Sequence, residues 1–278
     1  MITTRQAPLD AAELSARLHA LEVPHGCERS FRMASDEFAS DRHLISVAIE
    51  TLGFSAYEIA AELADDLAFP VTHRELLRRS FPLARFIHFG FEGSRDPRNR
   101  VHKLYLEFDL DELEPRPGSL IPVHLAVKWS PASRTEPMIS RYRRRSGISR
   151  REILDRLGSA SGSPVVDDAA SQIVARAFES DSDFDPFLLE VEDEGTPRRS
   201  VDVRLADVEL RVGDAADSIL AAARSLGIAA RRIGAHLESV CLDCLGHLAV
   251  GMHRDGRPFL SIHHGVEPAL HPSAVRLT

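Results

Sequence analysis

Alternation of apolar and polar residues with a period of two runs through several segments of the chain and predicts β-strands. The polar positions carry His, Gly and Ala beside Lys and Glu, whereas a solvated sheet face is usually rich in Lys, Glu, Thr, Arg and Ser. They are His88, Gly90 and Glu92; Lys103, Tyr105 and Glu107; His124, Ala126, Lys128 and Ser130; His247, Gly251 and His253; Ser261 and His263. Small residues among polar ones are typical of a surface that a ligand approaches closely. The polar face is therefore predicted to line a site.

Composition narrows the classes of protein that the chain can belong to. It has 278 residues with 44% hydrophobic content, which fits a globular fold. Its net charge of -8 argues against a surface that binds nucleic acid in general. Three cysteines argue against a disulfide framework. No apolar run reaches the roughly 18 residues of a membrane span, and Met1 to Glu13 lacks the apolar region of a secretory signal. A cytoplasmic protein is expected.

The predicted elements alternate between pairs of helices and pairs of strands. Seven strands are predicted, over 83–92, 100–110, 120–129, 187–191, 201–210, 248–253 and 258–264. Helices are predicted over 9–21, 36–67 (split at Gly53), 72–79, 149–157, 167–178, 214–226 and 228–237. The polar and basic stretch over 131–148 is predicted to be a loop.

This order predicts an α+β fold, with an antiparallel sheet in α-α-β-β repeats and helices on one face. Amphipathic helices bury an apolar stripe, so they are expected to cover the apolar strand faces. Closing the sheet into a barrel, completely or nearly so, would remove its edges and turn the polar faces inward. One domain is expected over 1–278, with a helical segment over 1–80, the repeats over 36–264 and a tail over 265–278.

Antiparallel strands inside a ring of helices, in α-α-β-β order, resemble the ABBA or PT-barrel prenyltransferases. Lys103-Leu104-Tyr105 resembles the Lys-x-Tyr strand motif of that family. The resemblance implies that Lys103 binds a prenyl diphosphate and that Tyr105 shields the allylic cation, with Lys128 and Arg204 as further diphosphate ligands. The chain departs from the family in its predicted strand count, seven against ten, and in Val101, which stands where the longer Arg-x-Lys-x-Tyr motif has arginine.

The expected function is transfer of an allylic prenyl group from a diphosphate to a small aromatic or peptide acceptor inside a polar lumen. Glu92 and Glu107 are the candidates for orienting or deprotonating the acceptor. Because the histidine side chain in general titrates near neutral pH, four histidines on the polar face are candidate substrate ligands: His88, His124, His253 and His263. No resident cofactor is assigned, although a requirement for Mg²⁺ stays open.

Two metal hypotheses and one binding hypothesis compete with this interpretation. A catalytic iron or zinc site would use His and Glu on the same sheet face: His88, Glu92, His124 and His263. A zinc site would use the C-x2-C-x2-H spacing of Cys241, Cys244 and His247, with Cys27 as a fourth ligand. The lined sheet would otherwise serve an accessory protein that binds a ligand without chemistry.

Overall fold

Ten antiparallel strands close into a barrel in the computed structural model, which describes residues 8–93, 100–109, 118–133, 135–181, 183–184 and 187–267. Each strand pairs with its neighbours in the chain, and β1 pairs with β10 to complete the ring. The strands are β1 Gly26–Ala34, β2 Glu37–Ala48, β3 Ala84–Glu92, β4 Val101–Phe108, β5 Leu120–Trp129, β6 Met138–Arg145, β7 Phe187–Asp193, β8 Arg199–Arg204, β9 Leu245–Met252 and β10 Pro258–Glu267. The predicted α+β barrel is therefore confirmed, and it is fully closed.

Helices surround the barrel and connect its hairpins at one end. They are α1 Ala11–Ala20, α2 Ala56–Asp66, α3 Arg74–Ser80, α4 Arg150–Leu157, α5 Pro164–Ser180, α6 Ala216–Ser225 and α7 Ala230–Val240. Capping boxes form at two helix N-termini, Asp10 with Glu13 on α1 and Ser149 with Glu152 on α4. Among the described helices, no segment has the length and apolar character needed to cross a membrane.

The hydrophobic core lies between the outer barrel face and the helices. Phe31 on β1, Ile87 on β3 and Leu248 on β9 are fully buried, as is Ile173 on α5. Because neighbouring residues of a strand point to opposite faces, burial of these apolar positions turns the alternate polar positions toward the barrel interior. The helix-covered face and the predicted polar face are thus the two sides of one sheet.

The predicted helix over 36–67 is wrong in its first part, because Glu37–Ala48 forms β2. Its partner β1 was not predicted at all. A register shift between Ser30 and Arg32 interrupts the pairing of the two strands, so the period-two pattern is broken where it would have been recognised. The apolar residues Leu44, Val47, Ile49 and Leu52 have a spacing close to that of a helix, which favoured the wrong element. The expected helical segment over 1–80 accordingly contains two strands.

The predicted loop over 131–148 is also wrong, because Met138–Arg145 forms β6. Its arginines pair with glutamates on β7 and directly after it: Arg145 Nε lies 2.7 Å from Glu190 Oε1 on β7, and Arg141 Nε lies 2.7 Å from Oε1 of Glu194, the residue after β7. Cross-strand pairs of opposite charge stabilise a sheet. The ion pairs between these arginines and glutamates therefore explain why this polar segment forms a strand. β1, β2 and β6 are the three strands missing from the predicted seven.

The outward direction of Phe31 can be tested by truncation. We expect Phe31→Ala to lower the free energy of unfolding by about 3–5 kcal/mol, because it opens a cavity between β1 and α7, where Phe31 contacts His236. The matched control Phe54→Ala removes a fully exposed ring and should change stability by less than about 0.5 kcal/mol. Denaturant unfolding measures both. Equal effects of the two substitutions would contradict the assigned core.

Candidate active site

The barrel encloses a cavity of about 950 Å³ that is lined by the inward side chains of the strands. The polar face predicted from the sequence supplies much of this lining, including Lys103, Tyr105 and Glu107 from β4 and His124 and Lys128 from β5. The prediction that this face turns inward is confirmed. A side chain at position 90 would crowd this face, because a Cβ atom there would lie 3.2 Å from Lys103 Cβ and 3.3 Å from Tyr105 Cε2.

Basic side chains gather near the barrel end that carries the hairpin turns. We call the five that surround two carboxylates the cation cluster. It consists of Arg32, Arg42, Lys103, Lys128 and Arg198. The two carboxylates are Glu92, the last residue of β3, and Asp193, the last residue of β7. Arg32 also lies 3.4 Å from the more exposed Glu37, so the basic side chains of the cluster outnumber the carboxylates that contact them.

Glu92 holds three members of the cation cluster. Its carboxylate lies 2.8 Å from Arg42 Nη2 and 3.5 Å from Arg32 Nη1, and it accepts a hydrogen bond from Lys103 Nζ. Burial opposes its charge, but these three cations hold the pKa of Glu92 well below its usual range. Burial in turn lowers the pKa of Lys103 to about 8, although Glu92 counteracts it. The carboxylate expected to act as a base is therefore a counter-ion of the cluster.

Asp193 organises the other part of the cation cluster. Its Oδ1 lies 3.2 Å from Lys128 Nζ and 2.7 Å from Arg198 Nη1, and it accepts a hydrogen bond from Ser140 Oγ. Burial opposes ionisation of Asp193, but Lys128 and Arg198 lower its pKa. Burial and the nearby Arg198 together hold the pKa of Lys128 well below its usual range. An added anion would relieve this mutual repulsion of buried cations.

Two polar nitrogens at the cation cluster have no hydrogen-bond partner among the described residues. They are Arg32 Nε and His253 Nε2, and both are buried. Burial lowers the pKa of His253 to about 4, reinforced by the charges of Arg32 and Arg198. Buried polar groups are nearly always hydrogen-bonded in proteins. These two nitrogens are therefore available to a polar group that enters this part of the lumen.

A pair of tyrosines follows the cation cluster along the lumen. Tyr105 stands between Lys103 and Glu107 on β4, and its ring centroid lies 5.8 Å from that of Tyr142 on β6. Burial raises the pKa of Tyr142 to about 12 and that of Tyr105 well above its usual range. Both phenols are thus neutral and present aromatic faces to the lumen.

Histidines and carboxylates occupy the lumen beyond the tyrosines. Glu107 Oε2 lies 3.0 Å from His88 Nε2 and 3.3 Å from His124 Nε2. Burial opposes the charge of Glu107, but hydrogen bonds from His124 and His88 hold its pKa well below its usual range. Burial lowers the pKa of His124. This trio of side chains could also hold a metal ion.

A second histidine–carboxylate group faces the first across the lumen. His247 Nδ1 lies 3.1 Å from Asp202 Oδ1, and although burial opposes its charge, Asp202 raises the pKa of His247 to about 9. Glu28 Oε2 lies 3.6 Å from His263 Nδ1. Burial opposes the charge of Glu28, but His263 and His247 lower its pKa to about 2. Its Oε1 has no hydrogen-bond partner among the described residues.

The sequence-predicted residues separate into distinct groups. Lys103, Lys128 and His253 belong to the cation cluster or border it, and His88 and His124 meet at Glu107 rather than at the expected Glu92. Arg204 ends β8 at the opposite end of the barrel and pairs with Asp207 at 3.1 Å. It is thus separated from the other diphosphate candidates.

The C-x2-C-x2-H hypothesis does not fit the geometry. Cys244 is exposed, whereas His247 faces the lumen and is held by Asp202. The described residues bring no group of metal-ligating side chains together around Cys241. This spacing would bring the three side chains to one face of a helix, but a strand begins at Leu245.

The lumen residues missed by sequence analysis lie mostly on the missed strands. Arg32 and Glu28 are on β1, Arg42 is on β2 and Tyr142 is on β6. The alternation of Arg42, Leu44 and Ser46, all of which line the lumen, was the signal that could have revealed β2. Arg198, just before β8, lies in a turn where no periodic pattern exists.

The ion pair between His247 and Asp202 gives a testable titration. We expect Asp202→Asn to lower the pKa of His247 from about 9, because the neutral amide no longer stabilises the imidazolium. NMR titration of the histidine ring resonances measures this shift. The control Asp207→Asn removes an exposed acid that pairs with Arg204 and should leave His247 protonated at pH 7. An unchanged pKa in Asp202→Asn would contradict the assigned pair.

Comparison with known proteins places this geometry in a structural context. No family model matches the sequence, and no curated protein matches it. Solved structures do match in fold. The 5-dimethylallyltryptophan synthase from Streptomyces coelicolor superposes with a TM-score of 0.58 at 17% identity, covering 86% of this chain and 80% of that chain.

Two further solved structures give the same result. The prenyltransferase PriB, in its complex with product diphosphate, has a TM-score of 0.58 at 14% identity and covers 87% of this chain and 82% of its own. The 6-dimethylallyltryptophan synthase from Micromonospora olivasterospora, in complex with DMASPP and Trp, has a TM-score of 0.54 at 13% identity, with 86% and 81% covered. The predicted resemblance to the ABBA-type aromatic prenyltransferases is thus confirmed in fold: the chain has the PT-barrel fold.

Proposed function

We propose that the chain transfers a prenyl group from an allylic diphosphate to an aromatic acceptor within the barrel lumen. The observation that carries this proposal is the cation cluster. Its basic side chains outnumber the carboxylates that contact them, which suits the negative charge of a diphosphate ester. Arginine and lysine are also the side chains that best bind phosphate oxygens.

The unpartnered nitrogens support the same ligand. Arg32 Nε is a donor for a phosphate oxygen, and His253 Nε2 becomes one in the tautomer that carries its proton there. A bound diphosphate would also accept from Lys103 and Lys128, whose pKa values burial lowers. Neutralising the leaving group in this way stabilises the charge that develops on it when the allylic C–O bond breaks.

The tyrosine pair suits the other product of that ionisation. An allylic cation is stabilised by the electron-rich faces of aromatic rings, and Tyr105 lies two residues from Lys103 on the inward face of β4. Both phenols stay neutral because burial raises their pKa values, so neither would be a phenolate nucleophile for the cation. The lumen is enclosed by the barrel wall, which limits access of water to the cation.

The acceptor is proposed to occupy the histidine-rich end of the lumen. Attack of its ring carbon or heteroatom on the prenyl cation forms the new bond and leaves one proton to be removed. Glu28 and Glu107 are both kept ionised there, so each could orient an N–H or O–H group of the acceptor or take that proton. Trp and DMASPP or dimethylallyl thiolodiphosphate occur together in complexes of similar fold, which makes L-tryptophan the first acceptor to test.

Binding of dimethylallyl diphosphate tests the cation cluster directly. We expect the compound to raise the thermal unfolding midpoint, since a ligand at 100 times its Kd stabilises the folded state by about 2.7 kcal/mol. Lys103→Met and Arg198→Ala should each weaken binding roughly 10- to 100-fold, because each removes a charge-assisted hydrogen bond. Calorimetry measures the affinities.

The chain supplies a matched control for this experiment. Arg199 follows Arg198 directly, yet its side chain is 81% exposed on the outer side. Arg199→Ala should therefore bind the diphosphate as the parent protein does. Absence of binding by the parent protein, or equal weakening in both arginine variants, would refute the proposed diphosphate site.

Turnover tests the transfer itself. With dimethylallyl diphosphate and L-tryptophan, mass spectrometry should detect a product that carries one added C5H8 unit. Glu28→Gln should lower the rate about 10²- to 10⁴-fold, the range for loss of a general base, while the affinity for dimethylallyl diphosphate stays unchanged. Full activity of Glu28→Gln would remove Glu28 from the reaction. Diphosphate binding with no product from tryptophan or other aromatic acceptors would favour a binding protein over a transferase.

A further inference from the structure

The histidine-rich end of the lumen contains a group that resembles a metal site more closely than a base. His88, Glu107 and His124 lie on the adjacent strands β3, β4 and β5, and one potential ligand atom from each lies within 4.8 Å of the other two. Glu107 Oε2 is 3.0 Å from His88 Nε2 and 3.3 Å from His124 Nε2. Ligand atoms around a tetrahedral zinc ion, each about 2.1 Å from the metal, are separated by about 3.4 Å.

The second nitrogen of His88 is already engaged. His88 Nδ1 lies 2.8 Å from Ser46 Oγ on β2, which leaves Nε2 directed toward Glu107. Histidines that bind metals usually have their other ring nitrogen held by such a partner, because this fixes the ring orientation and the tautomer. Ser46 thus orients the ring of His88, whose Nε2 is one of the three ligand atoms.

The charge environment of Glu107 differs from that of the carboxylates in the cation cluster. Glu92 and Asp193 are each surrounded by lysine and arginine. Among the described residues, no lysine or arginine lies within ion-pair distance of Glu107, and its pairs are with the two histidines. A divalent cation bound by all three side chains would supply the missing positive charge.

We propose that His88, Glu107 and His124 bind one divalent ion of a first-row transition metal. Two imidazoles and one carboxylate favour zinc, iron or a similar ion, whereas Mg²⁺ prefers ligands that are all oxygen. The group borders the lumen cavity, so the remaining coordination positions would face a water molecule or an oxygen atom of a substrate. This site does not depend on prenyl transfer, and it would leave Glu28 as the carboxylate that takes the acceptor proton.

Cobalt titration tests the site without any enzymatic assay. Protein freed of metal with a chelator is titrated with Co²⁺, and visible d–d absorption is recorded. We expect one Co²⁺ per chain. Glu107→Gln and His124→Asn should each abolish the bands. Ser46→Ala should weaken Co²⁺ binding roughly 10- to 100-fold, the usual cost of losing a partner of a metal-ligating histidine.

His263→Asn is the matched control, because it removes another lumen histidine that lies near Glu28 rather than Glu107. It should retain one Co²⁺ with unchanged bands. Absence of d–d bands in the parent protein, or their persistence in both Glu107→Gln and His124→Asn, would overturn the proposal. Circular dichroism of each variant establishes that the barrel is folded. Affinity for dimethylallyl diphosphate, measured on the same samples, separates failure of this site from failure of the cation cluster.

Discussion

Pairing of β1 with β10 is the constraint on which the rest of the structure depends. This ladder runs from Cys27 opposite Glu267 to Ala34 opposite Phe259 and closes the sheet. Closure gives every strand one face toward the helices and one face toward a shared interior. Charged side chains on the inner face are then removed from bulk water, where an unpaired charge is costly. The arrangement of the lumen follows from how those charges are paired.

The charged side chains inside the barrel are paired differently at its two ends. At the turn end, Glu92 and Asp193 separate five basic side chains and leave an excess of positive charge. At the other end, the carboxylates Glu28, Glu107 and Asp202 are paired with histidines. Between them, Tyr105 and Tyr142 contribute neutral aromatic surface. One lumen therefore contains a region rich in basic side chains, an aromatic region and a histidine–carboxylate region, in this order.

Sequence analysis predicted that the polar strand face points into the barrel, because apolar and polar residues alternate strictly on β3, β4 and β5. It recovered Lys103, Tyr105 and Lys128 for the same reason. It missed Arg32 and Arg42 because the irregular pairing of β1 with β2 disturbs the alternation on which strand prediction rests.

Strand β6 was missed for a different physical reason. Its arginines resemble those of a solvated loop until the glutamates of β7 are brought opposite them, and such pairing is a tertiary property that a local pattern does not contain. The joining of His88 and His124 at Glu107 rather than Glu92 likewise depends on register: Glu107 stands opposite His124, whereas Glu92 stands opposite Arg42. The sequence supplied the right residue types on the right face, and the pairing of strands decided which of them meet.

A crystal structure with dimethylallyl thiolodiphosphate tests the central claim most directly, because this analogue retains the diphosphate. The account predicts diphosphate oxygens within about 3.2 Å of Lys103 Nζ, Lys128 Nζ and at least one arginine of the cation cluster, with the dimethylallyl group directed toward Tyr105 and Tyr142. Diphosphate bound at the histidine-rich end, or outside the barrel, would contradict it.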